Sequence, residues 1–236
     1  MKGVLTMEQD NHFRHEMKYY ISYPDYLAVR SRVRAVMDHD THVGPTGFYH
    51  IRSVYFDNDD DKALKEKIDG VAKREKFRIR YYNNDFSFIT LEKKMKIDDL
   101  CLKKFTVINE EEARKIFTGD IEFMRDHKSD LARELYAKMI YQRMKPKVLV
   151  SYLREPYIYI PGNVRVTFDS HIRTTLFHKE FLEKKVNDIS ATDAPDDMIM
   201  EVKFDAFLPR VIQDIVQVPG IRQQAFSKYG ACRRFG

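Results

Sequence analysis

The sequence predicts an α+β fold in which an antiparallel β-barrel carries helices on its outside. The first indication is the stretch 73–82, where basic and apolar side chains alternate from Lys76 to Tyr81. A period of two places the two kinds of side chain on opposite faces of a strand. Four further stretches repeat this pattern, at 14–18, 91–96, 164–169 and 200–204. Because so many strands share a charged face, we expect those faces to meet inside a closed barrel whose apolar exterior is covered by helices.

Turn signals and helical periodicity support the same fold class. Turn residues at 83–85, 98–99 and 161–163 leave only short connections between strand-like stretches, which favours antiparallel hairpins. The predicted strands are 13–22, 49–56, 74–82, 86–96, 100–107, 147–154, 156–160, 164–169 and 198–204. The predicted helices are 24–38, 57–68, 110–117, 130–144, 209–217 and 223–235, and a polar loop is expected over 183–197. Asn109 suits a helix start and Gly119 a helix end.

Composition narrows the class of protein without fixing its function. The chain has 236 residues and a net charge of +5, which is too modest to indicate nucleic-acid binding by itself. Its two cysteines, Cys101 and Cys232, show no metal-ligand spacing. There is no apolar signal core near the N-terminus and no apolar run of about 18 residues. We therefore expect a single cytoplasmic domain over 1–236, with 1–12 flexible.

The charged faces predict an anionic ligand, because like charges inside a barrel are costly without a partner. No phosphate-binding glycine loop, dinucleotide fingerprint, serine elbow or His-Glu-x-x-His motif is present. Glu201 lies two residues before Lys203, on the same strand face. This carboxylate can be an ion-pair partner, or it can hold Mg²⁺ or Mn²⁺ together with substrate phosphates. Basic side chains for phosphate oxygens plus a carboxylate for metal are what phosphoryl transfer needs.

Seven short segments of the sequence together resemble a known family. They are Tyr55–Asn58, Arg78–Tyr82, Leu91–Lys94, Tyr152–Arg154, Pro161–Asp169, Met200–Lys203 and Phe226–Tyr229. These segments occur in the order and approximate spacing of the VTC domain, the catalytic domain of polyphosphate polymerases in the triphosphate tunnel metalloenzyme superfamily. The resemblance extends from Phe13 to Gly230.

That resemblance implies a tunnel barrel that transfers the γ-phosphate of ATP to a growing polyphosphate chain with manganese or magnesium as cofactor. It implies phosphate-binding roles for Lys18, Arg78, Arg80, Lys94, Arg154, Arg165, Lys203 and Lys228, and a metal-binding role for Glu201. Lys67 stands where the family has an arginine, so it keeps the charge but loses the bidentate fork. The next basic position falls on Lys103 or Lys104, and we prefer Lys103. Arg14, Glu16 and Glu92 are expected to support the site.

The first strand bears on the type of reaction. Hydrolases of the tunnel superfamily carry Glu-x-Glu-x-Lys there, whereas this chain has Arg14 in place of the first glutamate. The resemblance therefore implies synthesis of polyphosphate in preference to hydrolysis. Two alternatives stay open: a metal-dependent tripolyphosphatase or nucleoside triphosphatase, and a non-catalytic polyphosphate-binding module. The expected ligands are ATP and inorganic polyphosphate, with no nucleic acid, and a membrane partner stays open.

Overall fold

The computed structural model describes residues 12–41, 43–175, 178–192 and 197–235. The stretch 1–12 that was expected to be flexible lies outside the described residues except for its last member. The described residues form ten strands and six α-helices. In chain order they are β1 (Arg14–Ile21), α1 (Tyr23–Arg34), β2 (Asp38–His39), β3 (Tyr49–Asp57), α2 (Lys62–Ile68), β4 (Lys73–Tyr82), β5 (Asp85–Ile97), β6 (Leu100–Ile108), α3 (Glu110–Thr118), α4 (Asp130–Tyr141), β7 (Lys145–Tyr159), β8 (Val164–Thr175), β9 (Ile189–Ser190), β10 (Met198–Phe204), α5 (Arg210–Ile215) and α6 (Lys228–Phe235).

The strands close into the predicted antiparallel barrel. Their order is β2-β7-β3-β4-β5-β6-β1-β10-β8-β9, and an additional β7–β8 pairing joins the two ends of the series. Eight strands thus form the ring, while the two-residue strands β2 and β9 pair onto its outside edges. Every pairing is antiparallel. The α+β prediction of a barrel with external helices is confirmed.

Several element boundaries differ from the sequence prediction. The strands predicted at 147–154 and 156–160 are one strand, β7, which pairs with β8 on both sides of Pro156. A proline lacks the N–H for a ladder but keeps its carbonyl. The Pro156 carbonyl accepts a hydrogen bond from the Asp40 amide at 3.2 Å. Helix α1 ends at Arg34 because residues 38–39 pair with β7. Part of the predicted loop 183–197 forms β9.

Apolar side chains on the outside of the barrel form the core with the helices. Phe77 and Ile79 of β4 are fully buried and pack in one cluster with Ile116 of α3 and Leu135 of α4. A second cluster lies beneath α1 and α5, and a third beneath α2 and α6. Each such buried side chain contributes about 1.5–3 kcal/mol by leaving water. The charged faces of the strands therefore point into the barrel interior.

Asp57, at the end of β3, fixes two helices that carry candidate site residues. Its carboxylate accepts hydrogen bonds from the amides of Ala63 at 2.9 Å and Leu64 at 3.1 Å in the first turn of α2. It also accepts one at 2.6 Å from the Tyr229 hydroxyl of α6. Capping of this kind satisfies amides that have no partner within the helix. Within the described ranges, no helix has both the length and the apolar character needed to cross a bilayer.

Candidate functional site

The barrel interior encloses a cavity of about 1100 Å³. Lysines and arginines outnumber carboxylates among the residues that line it. The basic lining residues are Arg14, Lys18, Lys67, Arg74, Lys76, Arg78, Arg80, Lys94, Lys96, Lys103, Arg154, Arg165, Lys203 and Lys228. The acidic ones are Glu16, Asp40, Glu75, Asp99 and Glu201. A surface with this excess of positive charge suits a multiply charged anion.

Two arginines of β4 share one fully buried carboxylate. Arg78 donates from Nε to Glu92 Oε2 at 2.6 Å, and its Nη2 lies 2.5 Å from the same oxygen. Arg80 Nη1 lies 3.9 Å from that oxygen, and Lys103 Nζ lies 3.7 Å from Glu92 Oε1. Burial alone would raise the pKa of Glu92, but the charges of Arg78, Lys103 and Arg80 outweigh burial and lower that pKa. Glu92 is therefore ionised and anchors both arginines.

The hydroxyl groups of neighbouring strands orient the same arginines. Arg78 Nη1 donates to the Tyr55 hydroxyl at 2.8 Å. Arg80 donates from Nε to Ser53 Oγ at 2.9 Å and from Nη2 to the Tyr152 hydroxyl at 3.0 Å. These partners leave each guanidinium with few alternative rotamers, so the charges are held in place before a ligand arrives.

A second buried carboxylate, Asp169, holds cations from two other parts of the chain. Arg154 of β7 binds it bidentately, with Nε–Oδ1 at 2.6 Å and Nη2–Oδ2 at 2.7 Å, and Lys228 of α6 contacts Oδ2. Burial would raise the pKa of Asp169, but the charges of Arg154 and Lys228 lower it. Arg165 has different partners: its Nη2 contacts Asp40 at 2.5 Å and the Tyr49 hydroxyl at 2.9 Å.

A third group joins the carboxylates Glu16 and Glu201 to three lysines. The register of β1 against β10 sets Lys18 opposite Glu201 and Glu16 opposite Lys203. Lys18 Nζ lies 2.9 Å from Glu16 Oε1 and 3.5 Å from Glu201 Oε2. Lys203 Nζ lies 2.8 Å from Glu201 Oε1, and Lys94 Nζ lies 2.5 Å from Glu16 Oε2. The two carboxylates are therefore close to one another and are linked through lysine.

Burial and the charges in this group shift the pKa values of its members. Burial would raise the pKa of Glu201, but the charges of Lys203 and Lys18 lower it well below its usual range. Burial also lowers the pKa of Lys203 to about 8, although Glu201 and Glu16 oppose that change. The Lys203 side chain keeps 30% of its surface exposed, and that surface faces the cavity. At neutral pH the carboxylates are anionic and available as oxygen ligands.

Glu16 and Glu201 can be compared with the ligands that a divalent metal requires. No cluster of three or more His, Cys, Asp or Glu side chains that could hold a metal occurs in the described part of the chain. Glu16 and Glu201 nevertheless offer oxygen ligands within one lysine-linked group. Mg²⁺ is commonly held by one or two carboxylates, with phosphates and water completing its shell. The donor set fits a metal that enters with a phosphate ligand.

The predicted basic residues and Glu201 are brought together at this cavity. Lys67 reaches it from α2, and Lys103 lines it from β6, whereas Lys104 is exposed on the other face of that strand. Glu92 lies behind the wall, in contact with the arginines that line it. Arg14 also lines the cavity and places Nε 2.9 Å from Asp205 Oδ1.

The site contains further residues to which the sequence analysis gave no role at the site. Lys76, Arg74 and Lys96 line the cavity, and the alternation along β4 had already placed Lys76 on the face of its arginines. Tyr152 is another: Lys228 Nζ lies 4.8 Å from its ring centroid and the Arg154 guanidinium carbon lies 5.4 Å from it. An aromatic face attracts cations at this range. Tyr152 gave no separate sequence signal, because these neighbours meet only through barrel closure.

Comparison with known proteins gives one family match. The sequence profile of the family described as VTC domain matches residues 13–235. No curated protein matches the chain significantly. The family match covers nearly the whole chain.

Several solved structures are similar to this fold. A candidate adenylate cyclase from Bacillus halodurans is 16% identical with a TM-score of 0.49, covering 81% of this chain and 80% of that one. The PH1819 protein from Pyrococcus horikoshii is 14% identical with a TM-score of 0.49, covering 94% and 99%. The Mimivirus capping enzyme triphosphatase is 10% identical with a TM-score of 0.39, covering 89% and 91%. These likenesses are too low to bear on function.

Proposed function

This chain belongs to the VTC domain family, and we propose that it is an ATP-dependent polyphosphate polymerase. It would transfer the γ-phosphate of ATP onto the end of an inorganic polyphosphate chain held in the barrel. The observation that carries this proposal is the cavity wall, where arginines anchored on buried Glu92 and Asp169 stand among further lysines. Such a wall supports binding of a long polyanion better than binding of a singly charged molecule.

The proposed reaction needs no protein nucleophile. An oxygen of the acceptor's terminal phosphate attacks the γ-phosphorus of ATP, the bond from that phosphorus to the β–γ bridging oxygen breaks, and ADP leaves with that oxygen. The attacking phosphate is already anionic at neutral pH, so no side chain has to remove a proton. The main barrier is repulsion between two anions, and cations fixed in place reduce it without reorganising during the reaction.

Each group of residues has a distinct part in this proposal. Arg78 and Arg80 would bind phosphate oxygens on one wall, and Arg154 and Lys228 would do so on the wall formed by β7 and α6. Glu201, with Glu16, would hold the divalent metal. When bound, Mg²⁺ or Mn²⁺ would neutralise charge on the triphosphate. Lys18 and Lys203, which contact these carboxylates, would then be free to contact phosphate oxygens.

The environment of Arg14 supports synthesis over hydrolysis. Arg14 stands where a hydrolase of the superfamily is expected to have a carboxylate, and its guanidinium pairs with Asp205 and the Asn163 carbonyl. Glu16 is thus the carboxylate that β1 supplies to the metal group. Fewer acidic groups leave fewer acceptors to orient an attacking water.

The purified protein should be incubated with ATP and Mn²⁺ or Mg²⁺, with and without a short polyphosphate primer. Products are resolved on a gel stained for polyphosphate, and free phosphate is assayed in parallel. We expect polymer and ADP, with little free phosphate. Steady phosphate release without polymer would favour the triphosphatase, and the formation of neither polymer nor free phosphate would favour the binding module. The Arg78→Ala/Arg80→Ala double variant should make no polymer, which excludes a contaminating enzyme.

A further inference from the structure

Part of the cavity wall carries cations that have no carboxylate partner among the described residues. Most basic side chains of the cavity lie within 4.0 Å of an acidic group, as Arg78, Arg154 and Lys203 do. Among the described residues, no carboxylate lies that close to Lys67, Arg74 or Lys76. Arg74 donates instead to the Val71 carbonyl at 2.5 Å.

Lys76 lies at the centre of this group. It precedes Arg78 by two residues on β4, so its backbone is about 6.7 Å further along the same face of the strand. Its Nζ donates to Ser227 Oγ at 3.3 Å and lies 4.9 Å from the centroid of the Tyr229 ring. An ammonium group has three N–H donors, and a single weak hydroxyl contact uses one of them. Two donors are left to a ligand.

The charges with the largest effect on Lys76 are positive, although Glu16 of β1 pairs with two of them, Lys18 and Lys94. Lys18 comes from β1, Lys67 from α2, Arg74 from β4 itself and Lys94 from β5. The Tyr229 hydroxyl of α6 donates to Asp57, so that carboxylate is already engaged. Burial and these four positive charges lower the pKa of Lys76 to about 7.

The charged form of Lys67 is destabilised in the same way. Burial lowers its pKa, as do the charges of Arg74, Lys18 and Lys96. Clustered like charges raise the free energy of the unliganded protein. A carboxylate or an apolar side chain at this position would avoid that cost. Perturbed lysines in a cavity are candidates for ligand binding when the geometry agrees.

We propose that Lys76, with Lys67 and Arg74, forms an additional phosphate-binding subsite beside Arg78. A bound phosphate would oppose the burial and repulsion that lower the pKa of Lys76, so binding should be accompanied by proton uptake at that side chain. The ligand is a phosphate unit of a condensed phosphate chain. An internal unit of such a chain carries one negative charge and two non-bridging oxygens, and a terminal unit carries up to two charges and three such oxygens. Neighbouring units therefore present more negative charge to a group of cations than a single carboxylate does. This inference rests on the proposed function and deepens it, because it adds Lys76 and Arg74 to Lys67, which the family resemblance already indicates.

The test is calorimetric titration of the whole chain with inorganic tripolyphosphate, without added metal so that no turnover occurs. Measurements at about pH 8 in two buffers of different ionisation enthalpy give the number of protons taken up. The ligand's terminal phosphates also exchange protons near that pH, so the uptake by Lys76 is obtained as the difference between wild type and variant, in which the ligand's own contribution cancels. We expect Lys76→Met to weaken binding about ten-fold or more, the loss associated with a hydrogen bond to a charged group.

Two companion variants make the test decisive. Lys76→Arg is charged at all relevant pH values, so it should bind about as tightly as wild type but take up about one proton less. Lys73→Met is the matched control, because Lys73 is an exposed lysine of the same strand on its opposite face. It should match wild type in affinity and proton uptake. All variants are checked by thermal melting without ligand, where Lys76→Met should melt no lower than wild type.

Several results would overturn the subsite. They are no measurable binding by wild type, unchanged affinity in Lys76→Met, or wild-type proton uptake in Lys76→Arg, which would assign the uptake to another group such as Lys203. If Lys76→Met does not fold, the Lys76→Arg comparison decides alone. Failure of the polymerase proposal is separate, because binding is measured without turnover: a positive titration with no polymer from ATP would refute only the polymerase.

Discussion

Replacing Arg78 with alanine should damage the unliganded protein as well as its phosphate binding. Arg78 contacts Glu92 Oε2 through two nitrogens at 2.6 and 2.5 Å, whereas the other cations near Glu92 stand at 3.7 and 3.9 Å. The Arg78→Ala variant would leave a fully buried carboxylate without close hydrogen bonds from a cation. Removing one member of a buried pair costs about 3–5 kcal/mol. For a chain of this size that is a fall in Tm of roughly 6–20 °C.

The loss of stability in Arg78→Ala should also depend on pH in a specific direction. In wild type the pKa of Glu92 is depressed, so its stabilising contribution is present above its unfolded value and is lost as pH falls through the folded value. In Arg78→Ala, burial should dominate and raise that pKa above its unfolded value. The folded state then binds the extra proton, and stability is lost as pH rises. The deficit of Arg78→Ala should therefore be smaller at about pH 5 than at about pH 8.

Urea unfolding of wild type, Arg78→Ala, Glu92→Gln and the double variant measures the coupling between the two side chains. We expect the double variant to lose less free energy of unfolding than the two single changes add up to, because it leaves no buried unpaired charge. Arg80→Ala is the control, since Arg80 depends mainly on the hydroxyls of Ser53 and Tyr152 and should cost less. Additive losses, or a deficit that does not depend on pH, would refute the reasoning.

Three further changes test individual residues of the site. Glu201→Gln should keep the fold but abolish metal-stimulated activity, and normal activity at ordinary Mn²⁺ concentration would remove Glu201 from the mechanism. Lys103→Met should weaken tripolyphosphate binding about ten-fold or more, the range for a charged hydrogen bond, whereas Lys104→Met should leave it unchanged; equal effects in titration would contradict the assignment of Lys103. Arg14→Glu should shift products from polymer toward free phosphate, and a parallel fall of both would limit Arg14 to binding.

Much of the fold followed from strand alternation and local turn chemistry. The predicted strand 198–204 coincides with β10, and Asn109 caps α3 through a reciprocal hydrogen-bond pair with Glu112. These features depend on residues within one turn or one strand, so local sequence suffices. The continuous β7 was predicted as two strands, 147–154 and 156–160, because its continuity is decided by pairing with the distant strands β2 and β8.

The composition of the cavity was also predictable, but its pairings were not. Alternation placed Arg78 and Arg80 on an interior face, but it did not show which carboxylate each arginine contacts. The register of β4 against β5 instead sets Arg78 opposite Glu92. The group of Asp169, Arg154 and Lys228 comes from three separate segments, so only barrel closure brings it together.

The central claim is tested most directly by following the γ-phosphate of ATP itself. ATP labelled at the γ-phosphorus is incubated with the purified protein and divalent metal, and the label is divided between polymer, free phosphate and remaining ATP. A polymerase that uses this cavity should place most transferred label in polymer, in equal amount to the ADP formed, and Arg78→Ala/Arg80→Ala should abolish both. Label that passes to free phosphate with no polymer, even with a short polyphosphate primer present, would contradict the proposed function.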